Sequence, residues 1–149
     1  MNKTFLHLRW LTLAVAVCLS VLGAGAQSFK PGTLYHLVSA LKGQVVDADG
    51  QGHLALSAPN EKDAGQHFVM SELSGSWRII NPFNNQAVRY NGNGVEAGEN
   101  NGSDEAQLWR VVADGNHYNL VPTNNPGKAA AVQGSKLVLI DKAKAAGNK

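Results

Sequence analysis

The amino-acid sequence predicts an all-β domain made of three copies of one unit, about 41 residues long. Three observations predict it. First, "DEAQLWR" at Asp104 to Arg110 has an earlier, weaker copy in "DAGQHFV" at Asp63 to Val69, so that Gln66 and Gln107, like Phe68 and Trp109, stand 41 residues apart. Second, three strand-like segments, "LYHLVSA", "SWRIINP" and "HYNLVPT", each carry an aromatic near their start, and Tyr35, Trp77 and Tyr118 are spaced by 42 and 41 residues. Third, the other apolar segments are too short for a helical period and mostly alternate in twos, with Asp-Gly and Asn-Gly pairs between them.

Residues 1–26 stand apart from the repeats. A basic start with Lys3 and Arg9 precedes an apolar run from Trp10 to Leu22 and the small triplet Ala24-Gly25-Ala26. That is the layout of a secretory signal peptide, with a cut expected before Gln27. The run is shorter than the roughly 20 residues a spanning helix needs. Lipidation at Cys18 is disfavoured by the bulky Val17 before it. The expected location is therefore outside the cytoplasm, secreted or periplasmic. The full chain has 13 basic and 11 acidic residues, and losing Lys3 and Arg9 leaves the two signs equal. The basic balance thus belongs to the leader, and no electrostatic footprint for nucleic acid remains. Cys18 is the single cysteine, so the mature domain must hold together through its core and its backbone ladders.

The repeats are expected over residues 33–76, 77–116 and 117–149. In the first, "YHLVS", "QVVDA", "LALSA" and "HFVMSE" are the strand candidates; in the second, "WRIINP", "AVRYN", "VEAGE" and "LWRVVA". The third offers "YNLVP", "AAAVQ" and "LVLID", followed by "KAKAAG", which can form a single helical turn. The pairs Asp49-Gly50, Asn91-Gly92, Asn93-Gly94, Asn101-Gly102 and Asp114-Gly115 are expected to supply the positive φ of tight hairpin turns. Counting 41 residues on from Gln107 reaches Asn148, so the fourth strand of the third unit is expected to be missing: eleven strands where the repeat asks for twelve. The first strand would then present an open edge, to be covered by residues 27–31, by a partner, or by a longer chain.

The Gln-x-aromatic pattern in Gln107-Leu108-Trp109 and Gln66-His67-Phe68, its period, and "KGQVVDADG" at Lys42 to Gly50 together resemble the ricin-type β-trefoil, a degenerate QxW-repeat lectin domain. The resemblance implies a core shared around a pseudo-threefold axis, with Phe68, Trp77 and Trp109 inside it. Gln107 and Gln66 would then bond to backbone at strand ends that would otherwise be buried without partners. It also implies carbohydrate binding in a shallow pocket of each unit, where an Asp on the second strand accepts two sugar hydroxyls, an aromatic stacks on the ring, and an Asn precedes the Gln-x-Trp. On that pattern Asp47, with Asp49 nearby, takes the Asp position of unit one, His53 offers a substitute face, and Gln66 borders the site. Gly65 stands where the Asn belongs. The Asp position holds Arg89 in unit two and Ala131 in unit three. Arg89 beside Tyr90 suggests a different site, for an acidic sugar or a protein.

Other chemistries find no support in the sequence. His36, His53, His67 and His117 lack the short spacing of a metal site and have no Cys partner. Glu96, Glu99, Asp104 and Glu105 fall in one turn-rich stretch that reads as a solvated loop. Neither a phosphate loop nor a nucleophile elbow occurs. The expectation is a non-enzymatic module without cofactor or metal, free of nucleic acid and of membrane once the leader is cut. Its partners would be a glycan, held weakly, and a partner protein or attached catalytic domain. Two rival readings stay open: an interaction module that has lost sugar binding, and the front part of a longer exported glycoside hydrolase.

Overall fold

Short alternating segments bounded by turn residues form hairpins, because one face of each strand must be buried while its edges find partners. The computed structural model describes residues 10–12, 28–40, 42–114 and 117–145. The expected cut before Gln27, Cys18, Gly115 and Asn148 lie outside those residues. The strands are β1 (Trp10–Thr12), β2 (His36–Val38), β3 (Val45–Ala48), β4 (Leu54–Ser57), β5 (Val69–Leu73), β6 (Ser76–Asn81), β7 (Gln86–Asn91), β8 (Gly94–Glu99), β9 (Trp109–Asp114), β10 (His117–Pro122), β11 (Lys128–Gln133) and β12 (Lys136–Asp141). A four-residue helix, Lys142–Ala145, follows β12, and single 3-10 turns at Ala64–Gln66 and Glu105–Gln107 precede β5 and β9. The eleven segments expected from alternation are β2 to β12.

Each unit uses its strands in the same way. The second and third strands form a hairpin, and in register Asp47 faces Ala55, Arg89 faces Glu96 and Ala131 faces Val138. The fourth strand returns to the first of its own unit: Tyr35 pairs with Phe68, and Trp77 with Trp109, both antiparallel. Tight hairpins then lead into the next unit, β5 to β6 and β9 to β10. Ser74 and Gly75, both at positive φ, turn the first of these. Of the Gly pairs anticipated for turns, Gly50 and Gly92 take positive φ, whereas Gly94 and Gly102 do not.

The core lies along the axis between the units. Phe68, Trp109, Leu37, Ile79 and Val46 are essentially without solvent contact, and Trp77 is buried with them. Trp109 also donates from Nε1 to the Val88 carbonyl at 2.9 Å. Residues 28–34 form no strand, contrary to the substitute strand expected there. They deliver Phe29 instead, which meets the rings of Tyr35 and Trp77 edge-on, with centroids 5.4 and 4.9 Å away. The place beside β2 is taken by β1, which pairs with it in parallel.

His36 is fully buried on β2, 5.1 Å from the ring of His67. Burial, and then the like charge of His67, push its pKa down to about 4, against an opposing pull from Asp63. Because the unfolded chain takes up this proton first, stability is complete above the ordinary value of 6.5 and falls as pH drops towards 4.

Two predictions follow from this packing. Trp109→Ala removes a fully buried indole and should cost about 3–5 kcal/mol, lowering the thermal midpoint by roughly 10 °C or more; a shift of a degree or so would place the ring outside the core. Chemical denaturation between pH 7 and 4 should show stability falling by about 3 kcal/mol from His36 alone. His36→Gln should flatten that profile, and a variant profile parallel to the wild type would assign the titration to another group.

Candidate functional site

The two Gln-x-aromatic turns are built alike. Asp63 caps the first by accepting from the Gly65 amide, and Asp104 caps the second by accepting from Ala106. Gln66 donates to the Ala58 carbonyl at 3.0 Å and accepts from the Asn60 amide at 2.8 Å. Gln107 donates to the Glu99 carbonyl at 2.7 Å and accepts from the Asn101 amide at 3.1 Å. Both glutamines are 1% exposed, and each ties the loop before it to its own strand end.

What differs is the side chain beside each glutamine. In unit one, Asp47 Oδ2 accepts from Ser57 Oγ at 2.8 Å and from Gln66 Nε2 at 3.2 Å. Its Oδ1 turns over Gly65, where a Cβ would meet it at 2.6 Å and the Ala48 carbonyl at the same distance. Asp47 is thereby committed to its own loop, and Gly65 is required by the closeness of backbone on both sides. Asp49 belongs to a separate arrangement. It accepts from the amides of Gln51 and His53 and pairs with His53 Nδ1 at 2.6 Å. The Gln51 amide, more than the His53 ring, holds its carboxyl below the usual carboxylate range. Asp49 and His53 therefore organise the β3–β4 turn, and the four residues singled out for unit one fall into two groups, Asp47 with Gln66 and Asp49 with His53.

Unit two places Arg89 at the register position of Asp47. Its Nε donates to Asp104 Oδ2 at 3.0 Å, and its Nη1 to Glu96 Oε1 at 2.6 Å. The aliphatic stem lies across Gly98, whose Cβ, if present, would stand 2.5 Å from Arg89 Cδ. Burial pushes the Asp104 carboxyl up. The Arg89 bond and the Ala106 amide outweigh it and leave the group below its ordinary value. Unit three has Ala131 at this position, opposite Val138, and offers no polar group there.

A cleft of about 760 Å³ opens in front of Arg89. Its floor is Arg89, Glu96 and Gly98, and one wall is the loop from Glu99 to Asp104 with Gln107 behind it. The opposite wall is Gln51, Gly52 and His53 of unit one. That turn is laced to β8, since the Gly52 carbonyl accepts the Ala97 amide at 2.9 Å. His53 thus lines the unit-two cleft rather than an Asp47 site. The cleft walls hold Glu96, Glu99 and Asp104 against the single Arg89, whose charge is already shared between two of them. An acidic sugar would meet net negative charge here, so the acidic-ligand reading of Arg89 does not survive its pairing. A neutral polyol would meet carboxylate acceptors alongside the amide groups of Asn100 and Asn101. Sequence reasoning missed the cleft because its two walls are about fifty residues apart; the acidic loop itself was visible only as a solvated turn. Among the described residues no three His, Cys, Asp or Glu side chains gather as a metal would require.

No family model matches the chain, and no curated protein does. Solved structures match it well. The designed three-fold symmetric protein ThreeFoil aligns with a TM-score of 0.61 at 20% identity, over 72% of this chain and 87% of its own. The fold is a β-trefoil. SeviL, solved with an asialo-GM1 saccharide, matches with a TM-score of 0.58 at 18% identity, over 70% of this chain and 83% of its own. A GlcNAcα1-4Gal-releasing endo-β-galactosidase from Clostridium perfringens matches with a TM-score of 0.64 at 11% identity over 72% of this chain, and this trefoil spans 28% of that enzyme's length. At these identities the likeness speaks for the trefoil fold.

Restoring the family residue in unit one tests the account of Asp47. Gly65→Asn should create no sugar site, because its Cβ would stand against the Ala48 carbonyl, and it should destabilise the trefoil by about 1–3 kcal/mol. A variant that melts with the wild type and gains glycan affinity would show that the loop yields to the new side chain.

Proposed function

We propose that this trefoil is an exported, non-catalytic carbohydrate-binding module, with its leader removed before Gln27, and that its ligand is a neutral glycan held in the Arg89 cleft. The observation that carries this reading is the cleft itself: an open polar trough of about 760 Å³ with three carboxylates and two asparagine amides. Sugar hydroxyls donate to carboxylates and accept from amide N–H groups, and charge-assisted bonds of this kind contribute about 1.5–3 kcal/mol each. The shallow, wet setting argues for weak binding by one site, raised by a second site or by a tethered partner. Likeness to SeviL, seen with a saccharide, supports the ligand class. Likeness to part of an endo-β-galactosidase supports a targeting role beside an enzyme, in the same chain or in a partner.

A second reading, a protein-interaction or structural trefoil without sugar affinity, is favoured by the closed network around Asp47 and by Phe83, 81% exposed in the β6–β7 turn. A glycan array on the purified chain separates the two. The module reading expects binding to neutral glycans that weakens about tenfold or more in Glu96→Gln, one charge-assisted bond being worth that much. Asp47→Ala should leave glycan binding within about twofold of the wild type, since its carboxylate serves the loop. Absence of any bound glycan would favour the interaction reading, and loss of binding in a folded Asp47→Ala would move the site to unit one.

A further inference from the structure

The trefoil barrel is assembled from first and fourth strands, and the place between β2 and β10 is taken from outside the repeats. Trp10, Leu11 and Thr12 pair in parallel with His36, Leu37 and Val38, and β1 also lies against β10. The fourth strands of units one and two meet their first strands antiparallel, so β1 runs in the opposite sense to the repeat. A parallel ladder needs a connection of a dozen residues or more, which the stretch between Thr12 and His36 provides. All three residues of β2 are buried, and its pairing with β3 is a single register pair, Val38 with Val45. On the other side of the gap, β10 is fully paired with β9 along one edge and turns its other edge towards β1. The occupant comes from the apolar run whose removal the sequence predicts.

We propose that the gap between β2 and β10 is a strand-acceptor site. The chain's own residues 10–12 fill it while the leader is attached, and an extended apolar segment of a different protein fills it in parallel once the leader is gone. The chemistry of the occupant follows from the one present: a short run of large apolar and β-branched residues, held by backbone groups rather than by charge. Losing β1 uncovers backbone N–H and C=O groups along a buried strand, and such groups are costly to leave without partners. Strand addition satisfies them without altering the glycan cleft, which lies on β7, β8 and the loop after them. This module would then engage sugar and protein through separate surfaces.

Hydrogen exchange on the full 149-residue chain, kept uncut, tests the site. Leu11→Pro removes the amide at the centre of β1; exchange of the β2 amides should rise about tenfold or more while β6 and β9 stay protected. A synthetic peptide covering residues 8–14 (LRWLTLA), added in trans, should restore the protection, and the same peptide carrying Leu11→Pro should not. Unchanged β2 exchange in the variant would overturn the proposal, as would failure of the wild-type peptide to restore it. Protection regained through self-association, without peptide, would replace the different protein by a second copy and overturn that assignment. If the proline variant does not fold, Leu11→Gly weakens the strand more gently and reads the same three outcomes.

Discussion

Everything in this trefoil depends on each unit closing on itself, first strand against fourth, at an aromatic. Tyr35 meets Phe68 and Trp77 meets Trp109, and these contacts set where the barrel ends and the hairpins begin. An aromatic so near the start of its strand brings the preceding turn into the core, where backbone groups lose water. The buried glutamine two residues earlier answers that need. Its amide has one donor end and one acceptor end, and the loop behind it presents one carbonyl and one N–H, Ala58 with Asn60 and Glu99 with Asn101. An apolar residue of the same size would leave both without partners, at about 1–3 kcal/mol each. Glutamine and aromatic are therefore one device, and its recurrence at a fixed interval is a consequence of the closure.

That device is also what made the fold legible in the sequence. Period, alternation and turn residues locate the eleven repeat strands, because barrel closure repeats the same local demands in each unit. The site was much less legible. Asp47 reads as a sugar ligand until Ser57 and the gap at Gly65 are seen to hold its carboxylate in place. Arg89 reads as a cationic site until Asp104 and Glu96 are seen to neutralise it. Both outcomes depend on contacts between residues many positions apart, where spacing carries no information. Phe29 is a similar case: nothing in "QSFKPG" marks a core residue, and only the ring faces of Tyr35 and Trp77 make it one.

Closure by glutamine and aromatic leaves the second-strand position free to diverge, and three chemistries occupy it: Asp47, Arg89 and Ala131. Each brings its own local adjustment. Ser57 and Gly65 accompany the aspartate, Gly98 makes room for the arginine stem, and Val138 covers the alanine. The arginine version is the one that opens a cleft, because its carboxylate partners are held apart from the β3–β4 turn of the neighbouring unit. The bond from Ala97 to the Gly52 carbonyl fixes that spacing. The cleft is thus a property of two units together, although its chemistry is encoded in one.

The same reasoning explains why the joint at β1 differs in kind from the rest of the barrel. Six register pairs hold β9 to β10 and five hold β5 to β6, whereas three hold β1 to β2, in the parallel sense and without a hairpin to enforce them. Net gains of about 0.5–1.5 kcal/mol per hydrogen bond make a three-residue ladder weak beside the aromatic closures. Its opening is therefore the least costly rearrangement available to the barrel, and it leaves the Gln-aromatic closures of units one and two intact. A fold whose stability resides in those closures can exchange this one strand without losing its core.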